Sequence, residues 1–178
     1  LSKHCPQRFG TWTLQYDVSI RRKKYLLALQ ALFKMSLIDC EHSDYFSRLV
    51  DFALKMPSFG ELSEAVRTVL SEEFSILLNQ KSVTEYVAEA ADQARQKETT
   101  ALPVRIAIAQ ALVQTNPGSA SAASKLIVDL GISSRGADAE ACRVALDALK
   151  GFGAEAEEST KQWISVVKER FPLISDFS

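Results

Sequence analysis

The 178-residue sequence predicts an all-α fold, and three observations carry that expectation. Apolar residues recur at the i, i+3, i+4 spacing of one helical face in nearly every segment. No segment alternates apolar and polar residues for long enough to make a half-buried strand, and helix starters and breakers punctuate the chain. In order, Trp12, Tyr16 and Ile20 share a first helical face, ended by the cations Arg21, Arg22, Lys23 and Lys24. Tyr25, Leu26, Leu27, Leu29, Leu32, Phe33, Met35, Leu37 and Ile38 follow and cover most of a helix circumference, so this second helix is expected to be covered on more than one side. Ser58 with Glu61 has capping-box spacing ahead of the stripe Leu62, Val66, Val69, Leu70, Leu77 and Leu78. Ser82 with Glu85 repeats that spacing ahead of Val83, Tyr86, Val87, Ala90, Ala91 and Ala94. Three further stripes complete the chain: Val104, Ile108, Ala111 and Leu112; Leu126, Ile127 and Leu130; and Thr160, Trp163, Ile164, Val167 and Phe171. Asn116-Pro117-Gly118, Gly131 to Gly136 and Gly151 to Gly153 supply the breaks between them. Short connections favour antiparallel neighbours, so the helices are expected to stack as successive hairpins.

A helix apolar all round suits the inner helix of a stacked array, with one face on its hairpin partner and another on the next repeat. Tyr25, Ala28, Lys34, Met35 and Asp39 fall where the second helix of a tetratricopeptide repeat carries its aromatic, small crossing, basic, second small or apolar, and terminal Asp positions. Trp12 falls at the first-helix aromatic position. Cys40 replaces the usual closing Pro and Met35 is larger than the usual Ala, so the repeat is degenerate. The expected organisation is one helical module over residues 1–178, most like a tetratricopeptide repeat over 1–56 and an irregular helical bundle over 57–178: the end of an α-solenoid. Leu1 rather than Met reads as a piece of a longer chain.

Twenty-one Lys and Arg against 22 Asp and Glu leave a formal net charge of -1, too little to drive non-specific binding to nucleic acid or anionic lipid. Any polyanion contact is therefore local, and Arg21, Arg22, Lys23 and Lys24 are its candidates, with ribosomal RNA the sensible target. The bland alternative is a solvated helix elbow. Gln30, Lys34 and Ser36 interrupt the longest apolar run before the roughly 20 residues a bilayer span needs. No signal-peptide pattern opens the chain, and three scattered cysteines suit a reducing compartment; a cytoplasmic protein is expected. His4, Cys5, Cys40 and His42 are a zinc-type ligand set with the wrong spacing, so no metal is assigned. Gln7-Arg8-Phe9-Gly10 echoes a coenzyme A pyrophosphate loop but places Trp12 where a small residue is needed. Only two His are present, and no phosphate cradle or nucleophile elbow is recognisable. Neither a catalytic residue nor a cofactor is assigned. Pro172 stops the last helix, leaving Leu173, Ile174 and Phe177 on a tail that folds back or meets a partner.

Several stretches, taken in order, point to a family: "RRKKYLLALQALFK", "LIDCEHSDYFSRLVDF", "LSEAVRTVLSEE", "ALPVRIAIAQALVQTNPGSASAASKLIVDL" and "KQWISVVKERFPLISDF". Together they resemble the C-terminal region of the large auxiliary subunit of the NatA N-terminal acetyltransferase. The resemblance implies a tetratricopeptide-type scaffold that wraps the catalytic acetyltransferase subunit through turns upstream of Leu1 and docks on the ribosome. It implies no catalytic residue in this chain. It also implies a docking surface for the ubiquitin-associated-like domain of the regulator huntingtin-interacting protein K, and the surface from Leu130 to Phe177 is its expected place. Leu130, Trp163, Phe171, Leu173, Ile174 and Phe177 are the candidate contacts.

Overall fold

A computed structural model describes residues 8–60 and 62–172, with the side chains of Leu130 and Gly131 also left aside. Among the described residues the secondary structure is nine α-helices and three short 3-10 turns, without a strand. The chain divides into two compact units, residues 1–86 and 87–178. The division falls inside the fifth helix.

The first unit contains α1 (Phe9–Arg21), α2 (Tyr25–Asp39), α3 (Ser43–Lys55), α4 (Glu64–Leu77) and the first turn of α5 (Val83–Gln96). Its core gathers Trp12 and Tyr16 of α1, Ala28, Leu29, Leu32 and Met35 of α2, Leu49 and Phe52 of α3, and Leu70, Phe74 and Leu77 of α4. Ala28 and Ala31 are fully buried, as expected where small side chains let two helices cross closely. Aromatics close the hairpin stack: Tyr25 lies on Phe59 with ring centroids 3.7 Å apart, and Phe52 meets both Phe59 and Phe74. That packing explains why α4 completes this unit.

It also corrects the expected start of α4. Phe59 is drawn into the core, and Ser58 lies in a 3-10 turn with its hydroxyl donating to the Lys55 carbonyl. The helix instead starts after Ser63, whose oxygen accepts from the Val66 amide. Ser82 and Glu85 do form a reciprocal cap: the Glu85 carboxylate accepts from the Ser82 amide at 2.9 Å, and Ser82 Oγ accepts from the Glu85 amide.

A polar seam joins α1 to α3. Tyr16 donates to Asp51 at 3.0 Å, and Arg48 reaches Asp17 through two nitrogens at 3.1 and 2.9 Å. Burial works against the charged Arg48, but the bonds and charges of Asp17 and Asp44 outweigh it and raise its pKa. Such a paired fork fixes the register of α3 on α1 more than it adds stability.

The second unit contains the rest of α5, α6 (Leu102–Thr115), α7 (Ala120–Gly131), α8 (Ala139–Gly151) and α9 (Glu157–Arg170). Its core is rich in alanine, with Ala109, Ala123, Ala145 and Ala156 fully buried, so these helices approach closely. Trp163, 1% exposed, fills the space between α8 and α9, and its indole N–H donates to the Cys142 carbonyl at 3.2 Å. Ser159 of α9 donates to Ser124 of α7 at 3.0 Å. Gly136, with φ +75°, brings the α7–α8 connection against the Pro103 ring, and the neighbouring Arg135 carbonyl accepts from the Leu102 amide at 2.8 Å.

The expectation for α2 needs correction. Leu26, Leu27, Leu37 and Ile38 are 44%, 46%, 78% and 40% exposed, so α2 is not covered all round. The helix that is nearly enclosed is α6, where Leu102, Arg105, Ile106, Ala107, Ile108, Ala109 and Ala111 are all buried.

Candidate docking surfaces

The four consecutive cations form a built elbow. Arg21 ends α1, Arg22 follows it, and Lys23 takes the left-handed conformation with φ 55°. The Lys24 amide donates to the Ser19 carbonyl at 2.8 Å and the Lys23 amide to Ile20 at 3.0 Å. This pair of bonds is a Schellman closure, normally completed by glycine. The same closure recurs after α4, where Gln80 donates to Ser75 and Asn79 to Ile76. All four cationic side chains are exposed, and among the described residues none makes an ion pair. Their positive charge also suits the C-terminal end of the α1 dipole. The elbow therefore presents an ordered patch of unneutralised charge.

Of the residues expected to form a docking surface near the C-terminus, Trp163 and Phe171 have described side chains. Trp163 is withdrawn into the core of the second unit, because a large indole with its N–H satisfied internally is stable only when enclosed. Phe171 is partly buried directly after α9, its ring beneath the Arg170 guanidinium at 5.6 Å. Arg170 in turn donates to the Ile132 carbonyl. Leu173, Ile174 and Phe177, and the side chain of Leu130, lie outside the described residues.

Among the described residues, exposed aliphatics that sequence reasoning missed lie in the first hairpin and, more scattered, at Leu54, Val69, Ile76 and Val144. Leu14 and Val18 on α1 are 56% and 47% exposed, alongside the four leucine and isoleucine positions of α2 given above. The signal was present in the all-round apolar composition of α2, which was read as burial.

His42 has a local structural role. Its Nδ1 accepts from the Asp44 amide at 3.1 Å to cap α3, and its ring stacks on Phe9 at 4.1 Å. Cys40 is exposed and Cys142 buried, and burial pushes the Cys142 thiol pKa up. His4 and Cys5 lie outside the described residues. Among the described residues no cluster of His, Cys, Asp and Glu has metal-binding geometry, and no helix is long and apolar enough to cross a membrane.

No family model matches the chain. Over 140 residues, 72% of its length, it is 29% identical to the N-terminal acetyltransferase A complex auxiliary subunit NAA15 of Arabidopsis thaliana. The matched part is 15% of that protein. The chain is thus an all-helical polypeptide similar to one portion of an N-terminal acetyltransferase auxiliary subunit.

Proposed function

We propose that this chain is a non-catalytic scaffold segment of a NatA-type auxiliary subunit, offering a protein-docking surface that supports co-translational N-terminal acetylation. The similarity to an auxiliary subunit over 140 residues carries this reading. Helical hairpins suit the task, since stacked pairs present broad, rigid faces on which apolar side chains can be displayed without an enzyme's concave site. The catalytic acetyltransferase subunit would be held mainly by parts of such a subunit outside this chain. A regulator like huntingtin-interacting protein K, through its ubiquitin-associated-like domain, is the partner in this reading, and the cytoplasm the place of assembly. Isothermal titration of the chain with that isolated domain tests it. Heat saturating at micromolar concentrations is the expected result; none at tens of micromolar would overturn the partner assignment.

A second reading has its own observation. The ordered, unneutralised elbow of Arg21, Arg22, Lys23 and Lys24 suits a phosphate strip such as ribosomal RNA, with counterion release making the binding salt-dependent. Unchanged ribosome co-sedimentation by an Arg22→Glu, Lys24→Glu variant would remove it.

A further inference from the structure

The first unit closes two of its helices in the same way but with different residues. After α4 the left-handed position is taken by Asn79, with φ 52°, and asparagine enters that region readily because its short side chain can bond to nearby backbone. Gln80 follows at φ 61°, and Ser75 donates its hydroxyl to the Gln80 side chain at 3.2 Å. After α1 the same position is taken by Lys23, with φ 55°. A lysine there sets its Cβ against the following carbonyl oxygen, and its side chain is exposed with no hydrogen bond or ion pair. Glycine would make the same turn without that strain. Lys23 is thus a left-handed position whose strain has no local compensation.

The strain coincides with a repelled charge. Lys24 is the N-cap of α2, its side chain makes no capping bond, and the first turn of that helix carries no acidic residue. A cation at this end opposes the α2 dipole, although Arg21 suits the end of α1. Arg21, Arg22, Lys23 and Lys24 also repel one another across adjacent positions. On one continuous helix, four consecutive side chains would fan over about 300° of the circumference. The left-handed break at Lys23 follows the end of α1 and leaves Lys23 and Lys24 outside that fan. An anion seated at the elbow relieves the repulsion and gives Lys23 the partner it lacks.

We propose that Lys23 contacts a backbone phosphate of bound RNA, between Arg22 and Lys24, so that the elbow carries a strained lysine where glycine folds better but binds less. The inference rests on the RNA reading of the elbow and names the cation at which stability and binding oppose each other. A purely structural turn residue would affect stability alone, and an unstrained surface lysine binding alone. Adhesion to a bilayer draws on cations spread along a helix face; four within one turn suit a short stretch of phosphates instead.

The test uses the whole chain with a labelled oligouridylate of about 20 nucleotides, titrated at several salt concentrations, and urea unfolding of each variant. Lys23→Gly and Lys23→Asn are expected to raise the urea midpoint and to weaken RNA binding several-fold, with the slope of log affinity against log salt reduced by about 0.7, as for one lost single-strand contact. Because both variants gain stability, lost affinity cannot come from lost folding. Lys23→Arg should keep both the salt slope and the midpoint. A raised midpoint with wild-type RNA affinity would overturn the proposal, and so would weakened binding with an unchanged or lowered midpoint. Tighter binding to phosphatidylserine vesicles than to the oligouridylate would do the same. The Arg22→Glu, Lys24→Glu variant separates this inference from the reading beneath it: loss of RNA binding there, with Lys23→Gly binding as wild type, keeps the RNA reading and removes Lys23 from it. No RNA binding by wild type removes both.

Discussion

Arg105 offers the sharpest test of how the second unit is held together. Its side chain is 1% exposed, and Nε and Nη2 donate to the carbonyls of Thr100 and Lys97, each at 3.1 Å. Burial depresses its pKa, with no carboxylate offsetting that effect. The guanidinium therefore works as a staple for the turn after α5, holding the Thr100 carbonyl and sharing the Lys97 carbonyl with the Thr100 amide, which donates to it at 3.0 Å. Replacing it with Ala removes two charge-assisted bonds, each about 1.5–3 kcal/mol, together with the packed stem. Part of that loss is returned, because the buried charge disappears and the exposed Lys97 backbone can rehydrate. A net cost of about 3 kcal/mol follows. Arg105→Met keeps the stem and discards the charge, so about 1–2 kcal/mol is expected. Arg105→Lys keeps the charge without the fork and should cost about 2 kcal/mol. The chain has two tryptophans, so in a Trp12→Phe background the fluorescence of Trp163 reports the second unit alone during urea unfolding. At a slope of about 1–3 kcal/mol per molar, the Ala variant should unfold at least about 1 M earlier. A cost below about 1 kcal/mol for Ala, or full stability with Lys, would refute the staple.

Two further predictions concern the core. Trp163→Ala should destabilise the second unit by about 3–5 kcal/mol, and Trp163→Phe by less, with loss of the bond to Cys142; loss of partner affinity at unchanged stability would instead make it a surface residue. Tyr16→Phe should cost about 1 kcal/mol at neutral pH through the bond to Asp51. Burial, then the negative charge and hydrogen bond of Asp51, raises the Tyr16 pKa above its ordinary value. The neutral phenol is thus favoured by folding, and its contribution is complete below about pH 10 and lost as pH rises further. The stability gap between wild type and Tyr16→Phe should therefore shrink in urea titrations above that pH, and a constant gap would contradict the linkage.

How far the sequence could be read depended on whether a signal was local. The Ser82–Glu85 cap was legible because both halves lie within one turn. The Ser58–Glu61 spacing looked equivalent but failed, since Phe59 stacks on Tyr25 and holds the intervening chain outside a helix. That partner is more than thirty positions away, beyond what a capping pattern can register. Trp163 shows the same limit at the candidate site. Its stripe placed it on an inward face, and only the Cys142 carbonyl of a different helix determines that nothing remains for a partner to touch. Arg105 gave no sign at all, because a basic residue within an apolar stripe ordinarily snorkels to water. Here the Lys97 and Thr100 carbonyls are nearer.

The contrast between α2 and α6 shows why apolar composition alone misled. Helix α2 read as apolar nearly all round and α6 as one stripe, yet α6 is enclosed while α2 leaves four large aliphatics 40% exposed or more. Composition measures how much surface gains by leaving water; where the neighbours stand around the helix decides how much of it does. Helix α6 has α7 and α8 against it, and the turn after α5 is tied to it through Arg105. Helix α2 has α1, α3 and α4, all of which leave the Leu27–Ile38 arc uncovered. Leu27 and Ile38 therefore contribute little to holding the hairpin together, since an apolar side chain stabilises only in proportion to the area it buries. Their exposure to water is offset only where something else covers them.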